Sequence, residues 1–182
     1  MIKNIPNILT MSRIVVIPLV IGSFYLDFPT SNWVAFVLFT LAGITDYFDG
    51  LVARSYNVTS RMGQFLDPIA DKLMVVSVIV MLVGFQTITD FHILAAIVIL
   101  LREILVSGLR EFLSDLKVSV PVTFLAKWKT AVQMIALGGL LMGEAAPDWL
   151  PAMDISLTLL WIAAVLTLYT GFDYLKAGLK HI

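Results

Sequence analysis

Residues 46–71 read DYFDGLVARSYNVTSRMGQFLDPIAD, four carboxylates in a chain that is otherwise strongly apolar. Asp46 and Asp49 are three apart, and Asp67 and Asp71 are four apart. On a helix either spacing puts the pair on one face. A short polar stretch separates the pairs, so two consecutive helices can bring all four together. Bare anions do not gather beside a membrane without cations, and hard oxygen ligands suit Mg²⁺, Mn²⁺ or Ca²⁺. Replacing one of these carboxylates by an amide should relieve repulsion when no metal is bound. Carboxylates inside a membrane protein are costly, and this cost favours a functional site over scattered helix-end charges.

The elements that position these groups must be membrane helices. Of 182 residues, 59% are hydrophobic and 14% charged, with a mean hydropathy of +0.94. A soluble domain carries nearer a quarter charged residues. We expect an all-α integral membrane protein forming a single domain, 1–182. A span needs about 20 mostly apolar residues. Six segments meet or approach that length: 9–28, 33–53, 62–85, 91–109, 123–142 and 152–174. Residues 2–8 read as a short interfacial piece before the first span, broken at Pro6. With no cysteine, disulfides and thiolate metal sites are excluded. The N-terminus shows no A-x-A-like cleavage site after a short apolar core, so Met1 reads as the start of the mature chain.

Orientation follows from the twelve basic residues. The loops at 27–32, 86–90 and 143–151 hold none, so every Lys and Arg falls on or towards the other side. The positive-inside rule then places both termini, and the carboxylate stretch, at the cytoplasmic face.

The stretch as a whole, D-x2-D-G-x2-A-R-x8-G-x3-D-x3-D, resembles the signature of the CDP-alcohol phosphotransferases, integral membrane enzymes of phospholipid synthesis. All eight fixed positions match: Asp46, Asp49, Gly50, Ala53, Arg54, Gly63, Asp67 and Asp71. The resemblance implies two Mg²⁺ or Mn²⁺ ions on Asp46, Asp49, Asp67 and Asp71, with Asp71 also the general base. It implies CDP-lipid contacts by Gly50, Ala53, Arg54, Ser60 and Gly63. Arg54 would neutralise the nucleotide phosphate, and Gly50 would let the nucleotide approach the backbone. Gly63 equally suits close helix packing, and Arg61 needs no role beyond flanking a span. The start IPNILTMSR resembles the segment before the first span in the same enzymes, which puts Asn7 and Thr10 near the nucleotide. Either could instead cap a helix.

The choice of acceptor rests on LLREILVSGLREFL and FLAKWKTAVQ. Glu103, Ser107 and Arg110 or Glu111 share a helical stripe that could face the bundle. Arg102 lies too deep for simple snorkelling, and Asp71 is a candidate acidic partner. Lys127 and Lys129 stand at a helix start, where the helix dipole favours acids. Arg110, Lys127 and Lys129 could therefore bind an acceptor phosphate; the alternative is anchoring to anionic lipid. These segments resemble the bacterial phosphatidylglycerophosphate synthase subgroup. That resemblance implies CDP-diacylglycerol and sn-glycerol 3-phosphate as substrates, phosphatidylglycerol phosphate and CMP as products, and a homodimer in the bacterial inner membrane. It implies no nucleic-acid partner. Other acceptors in the family are inositol phosphate, serine and phosphatidylglycerol, of which serine would leave the basic trio without a purpose. Outside the family, six helices with buried acids could be a divalent-cation transporter, although such sites lie near the midplane and these acids crowd one end.

Overall fold

A computed structural model describes residues 5–56, 61–115 and 124–178, with side chains over 11–46, at 66, and over 69–113 and 124–176. Six α-helices account for nearly all of it: α1 (Ile5–Ser23), α2 (Thr30–Tyr56), α3 (Arg61–Gly84), α4 (His92–Asp115), α5 (Phe124–Met142) and α6 (Ala152–Gly178). No strand occurs among the described residues. The all-α expectation holds, and each helix overlaps one expected span.

Two boundaries differ for physical reasons. Helix α1 begins at Ile5 and continues through residue 8, so residues 5–8 of the expected interfacial piece belong to the helix, while residues 2–4 lie outside the described residues. Pro6 sits in the first turn, where a missing N–H costs no hydrogen bond. The backbones of Asn7 and Thr10 lie inside α1. Helix α2 continues past the apolar segment to Tyr56, carrying Asp46, Asp49, Gly50, Ala53 and Arg54 on one unbroken helix.

The chain divides into two compact units, Met1–Thr87 with Leu141–Ala152, and Ile88–Leu140 with Met153–Ile182. In the first, α1 packs on both α2 and α3. Its buried residues recur at helical spacing: Ile17 and Val20; Ala35, Phe39 and Ala42; Met74, Val78 and Leu82. The outward rows are apolar too, with Met11, Val15 and Leu19 exposed on α1 and Val37, Leu41 and Ile44 on α2. A helix in water turns charge outward; rows like these need an apolar surrounding.

Connections end the helices through local hydrogen bonds. After α3, Thr87 N–H donates to the Leu82 carbonyl at 2.8 Å and Gln86 N–H to Val83 at 3.1 Å. This Schellman pattern needs a left-handed residue at Gln86, whose φ is 60°. Past α5, Gly143 takes the same region at φ 49°, and Asn32 Nδ2 donates to the Leu141 carbonyl at 3.0 Å.

In the second unit, α4 buries Ala95, Ile99, Val106 and Leu113, α5 buries Ala136, Leu137 and Leu140, and α6 buries Leu160, Ala163 and Ala164. Outward on α4 and α6 stand Leu94, Ile97, Leu101, Ile162, Val165 and Leu168. The stretches His92–Leu113 and Ala152–Lys176 are long and apolar enough to cross a membrane, by length and composition. Helices α2 and α3 carry the acidic stretch, and α5 carries two lysines near its start. Much of the acidic stretch on α2 and α3 lies outside the described side chains.

Candidate active site

The acidic stretch lies across the end of α2 and the start of α3, and α1 supplies a third wall. Asp46 falls on α2 one turn after the small buried Ala42, and Asp71 follows the small buried Ala70 on α3. Small residues let helix backbones approach closely. Between the two carboxylates lies Arg13 of α1. Its Nη1 donates to Asp46 Oδ1 at 2.5 Å and to Asp71 Oδ1 at 2.5 Å. The Arg13 side chain is 5% exposed, while those of Asp46 and Asp71 are 42% and 53% exposed. The cation is therefore the buried member, and the anions are open.

The expected convergence of the two acidic pairs is thus realised for one member of each. Two carboxylate oxygens from different helices meet at one guanidinium nitrogen. Hard anionic oxygens are also the donor type that Mg²⁺ and Mn²⁺ take. The residues present fit such an ion. Among the described residues no group of three or more acidic or histidine side chains is gathered; Asp49 and Asp67, which would complete the four, lie outside the described side chains. So do those of Asn7, Thr10, Gly50, Ala53, Arg54 and Gly63, although their backbones belong to α1, α2 and α3. Ser60 lies outside the described residues altogether.

The second unit holds the expected basic trio. Lys129 is buried and donates from Nζ to Glu103 Oε1. Arg102 also reaches Glu103, Nη1 to Oε1 at 3.4 Å. Its Nε donates to the Thr167 carbonyl at 3.2 Å and its Nη2 to Thr170 Oγ1 at 3.0 Å. An acidic partner of Arg102 is therefore its neighbour Glu103. Arg110 donates from Nη2 to the Tyr174 hydroxyl at 3.0 Å, with its guanidinium carbon 5.4 Å from that ring's centre. Lys127 is exposed.

The buried line of α4 runs through Ile99, Val106 and Leu113, so the expected Glu103–Ser107–Arg110 stripe sits at its edge. Glu103 is mostly covered, while Arg110 and Glu111 are exposed. Apolar residues take the core-facing line, and polar groups meet partners at its margin.

Two contributors escaped sequence reasoning. Arg13 enters the sequence reading only as one of twelve basic residues; its signal is an arginine within an apolar run that a snorkelling head does not explain. Tyr174 gave no signal beyond its helix.

Residues 3–169 match the CDP-alcohol phosphatidyltransferase family. A Rickettsia bellii protein named CDP-diacylglycerol–glycerol-3-phosphate 3-phosphatidyltransferase is 47% identical over 179 residues, covering 98% of this chain and 97% of that protein. A Haemophilus influenzae protein of the same name is 41% identical, covering 96% and 93%. One from Yersinia enterocolitica is 40% identical, covering 98% and 97%. The match runs through the signature from Asp46 to Asp71 and nearly end to end, and by it this chain belongs to the CDP-alcohol phosphatidyltransferase family.

Proposed function

We propose that this protein transfers the phosphatidyl group of CDP-diacylglycerol to sn-glycerol 3-phosphate, giving phosphatidylglycerol phosphate and CMP. The observation that carries the reading is likeness over almost the whole chain to relatives named for this reaction, 47% identical in one case. The complete signature supports it.

Two Mg²⁺ or Mn²⁺ ions on Asp46, Asp49, Asp67 and Asp71 would neutralise the pyrophosphate and stabilise the attacking and leaving oxygens. The chain's own groups do the rest. Asp71, with its carboxylate half open, accepts the proton of the attacking glycerol hydroxyl. The new bond forms between that oxygen and the phosphorus bearing the lipid, and the bond to CMP breaks. Arg54 holds a nucleotide phosphate, and Asn7, Thr10, Gly50, Ala53, Ser60 and Gly63 line the CDP-lipid.

Arg110, Lys127 and Lys129 grip the acceptor phosphate. An ammonium has three N–H donors, so Lys129 keeps two beyond the one it gives Glu103. The enzyme works as a homodimer. The test is a purified-protein assay of CMP release from CDP-diacylglycerol with glycerol 3-phosphate, inositol phosphate, serine and phosphatidylglycerol in turn. Glycerol 3-phosphate should support the fastest release. A liposome flux of divalent ions without CMP release would replace the reading with transport.

The six helices cross the bacterial inner membrane with both termini and the carboxylate site in the cytoplasm. Outward apolar rows on α1, α2, α4 and α6 support this, as does the absence of Lys and Arg from three connecting loops. The native chain has no cysteine, so an introduced one is the sole thiol. Thr87→Cys and Ala146→Cys should react with a membrane-impermeant maleimide on intact cells, and Asn57→Cys only after lysis. Labelling of Asn57→Cys from outside would invert the topology.

A further inference from the structure

We infer that Arg13 is the carboxylate site's own counter-ion: it holds Asp46 and Asp71 together without metal and yields them when a divalent cation binds. This rests on the reading above of Asp46 and Asp71 as metal ligands.

Three observations carry it. One guanidinium nitrogen on α1 serves carboxylates on α2 and α3, so a single side chain ties three helices at the site. The burial is lopsided, with the Arg13 side chain 5% exposed against 42% and 53% for its partners. A snorkelling arginine would keep its head in water; this one is held from within, and its anions are the exposed members of the group. Finally, the two oxygens that take the Arg13 protons are oxygens a metal would use. A guanidinium on those oxygens repels a divalent ion that would share them.

Arginine suits the task better than lysine. Its charge is permanent and its donors are fixed in a plane, whereas an ammonium is a compact, strongly hydrated charge on a flexible stem. Arg13 is thus a positioning residue, acting through the two carboxylates.

The experiment titrates Mn²⁺ into the purified full-length protein in detergent, without lipid substrate, reading bound ion by electron paramagnetic resonance. Wild type, Arg13→Gln and Arg13→Lys are compared. Removing a unit charge about 4 Å from a divalent ion should tighten binding at least about tenfold, even with water-like screening. Arg13→Lys keeps the charge and loses the fork, so its gain should be smaller. In chelator, Arg13→Gln should melt below wild type, and saturating Mn²⁺ should close most of that gap. Unchanged or weaker Mn²⁺ binding by Arg13→Gln overturns the inference. Should that variant not fold, wild type labelled with ¹⁵N-arginine gives the answer, the Arg13 side-chain signal being assigned by its loss in Arg13→Lys. That signal should move on Mg²⁺ addition, and a signal unmoved at saturation overturns the inference. Wild type that binds no Mn²⁺ overturns the metal-site reading, and this inference with it.

Discussion

Asp71→Asn should lower turnover by about a thousandfold or more while CDP-diacylglycerol still binds in the presence of Mg²⁺. General-base catalysis alone contributes on the order of 10²–10⁴, and the same change weakens a metal site. CMP release and equilibrium binding of the lipid nucleotide measure the two effects separately. A near-normal rate would remove Asp71 from the base role. The folding consequence differs from what crowded anions alone imply. Four acids read in isolation suggest that an amide relieves repulsion. With Arg13 buried between Asp46 and Asp71, the substitution instead takes one partner from a buried cation, which is destabilising. Asp71→Asn should therefore melt below wild type in chelator.

Lys129→Ala should raise KM for glycerol 3-phosphate by roughly ten- to a hundredfold and leave KM for CDP-diacylglycerol nearly unchanged. A charge-assisted hydrogen bond is worth about 1.5–3 kcal/mol, and about 1.4 kcal/mol is one decade. Lys127→Ala should show the same selectivity. The two variants part on stability. Lys129 is buried against Glu103, so its removal leaves that mostly covered carboxylate with only the longer Arg102 contact and should cost about 1–3 kcal/mol. Lys127 is exposed and should cost little. Steady-state kinetics with each substrate varied at saturation of the other, together with melting curves, checks all of this. Small and equal effects on both KM values would make the trio lipid anchors and reopen serine as the acceptor.

Helix number and identity were legible because long apolar segments leave few alternatives. Their ends were less so. Helix α2 extends to Tyr56 and α4 to Asp115, where polar residues lower hydropathy while still forming helix. The chemistry of residues 46–71 was legible from spacing, since i, i+3 and i, i+4 fix a face. Partners were not. Arg13 lies 33 and 58 residues from the acids it joins, and Arg102 pairs with the adjacent Glu103. Such pairing depends on helix packing and rotamer direction, which periodicity does not encode.

Helices α4 and α6 run side by side in the same direction, joined at three heights. Trp161 donates to His92 Nδ1 at 3.1 Å, Arg102 reaches Thr167 and Thr170, and Arg110 reaches Tyr174. Gly171 adds a fit of shape, since a side-chain carbon there would come within 3.1 Å of Arg102 Cγ. One helical turn is about 5.4 Å, so a slip of α4 along α6 by that distance would break all three joints together. The pair is locked against piston motion. Any rearrangement during turnover that passes through these two helices must carry them as one rigid rod.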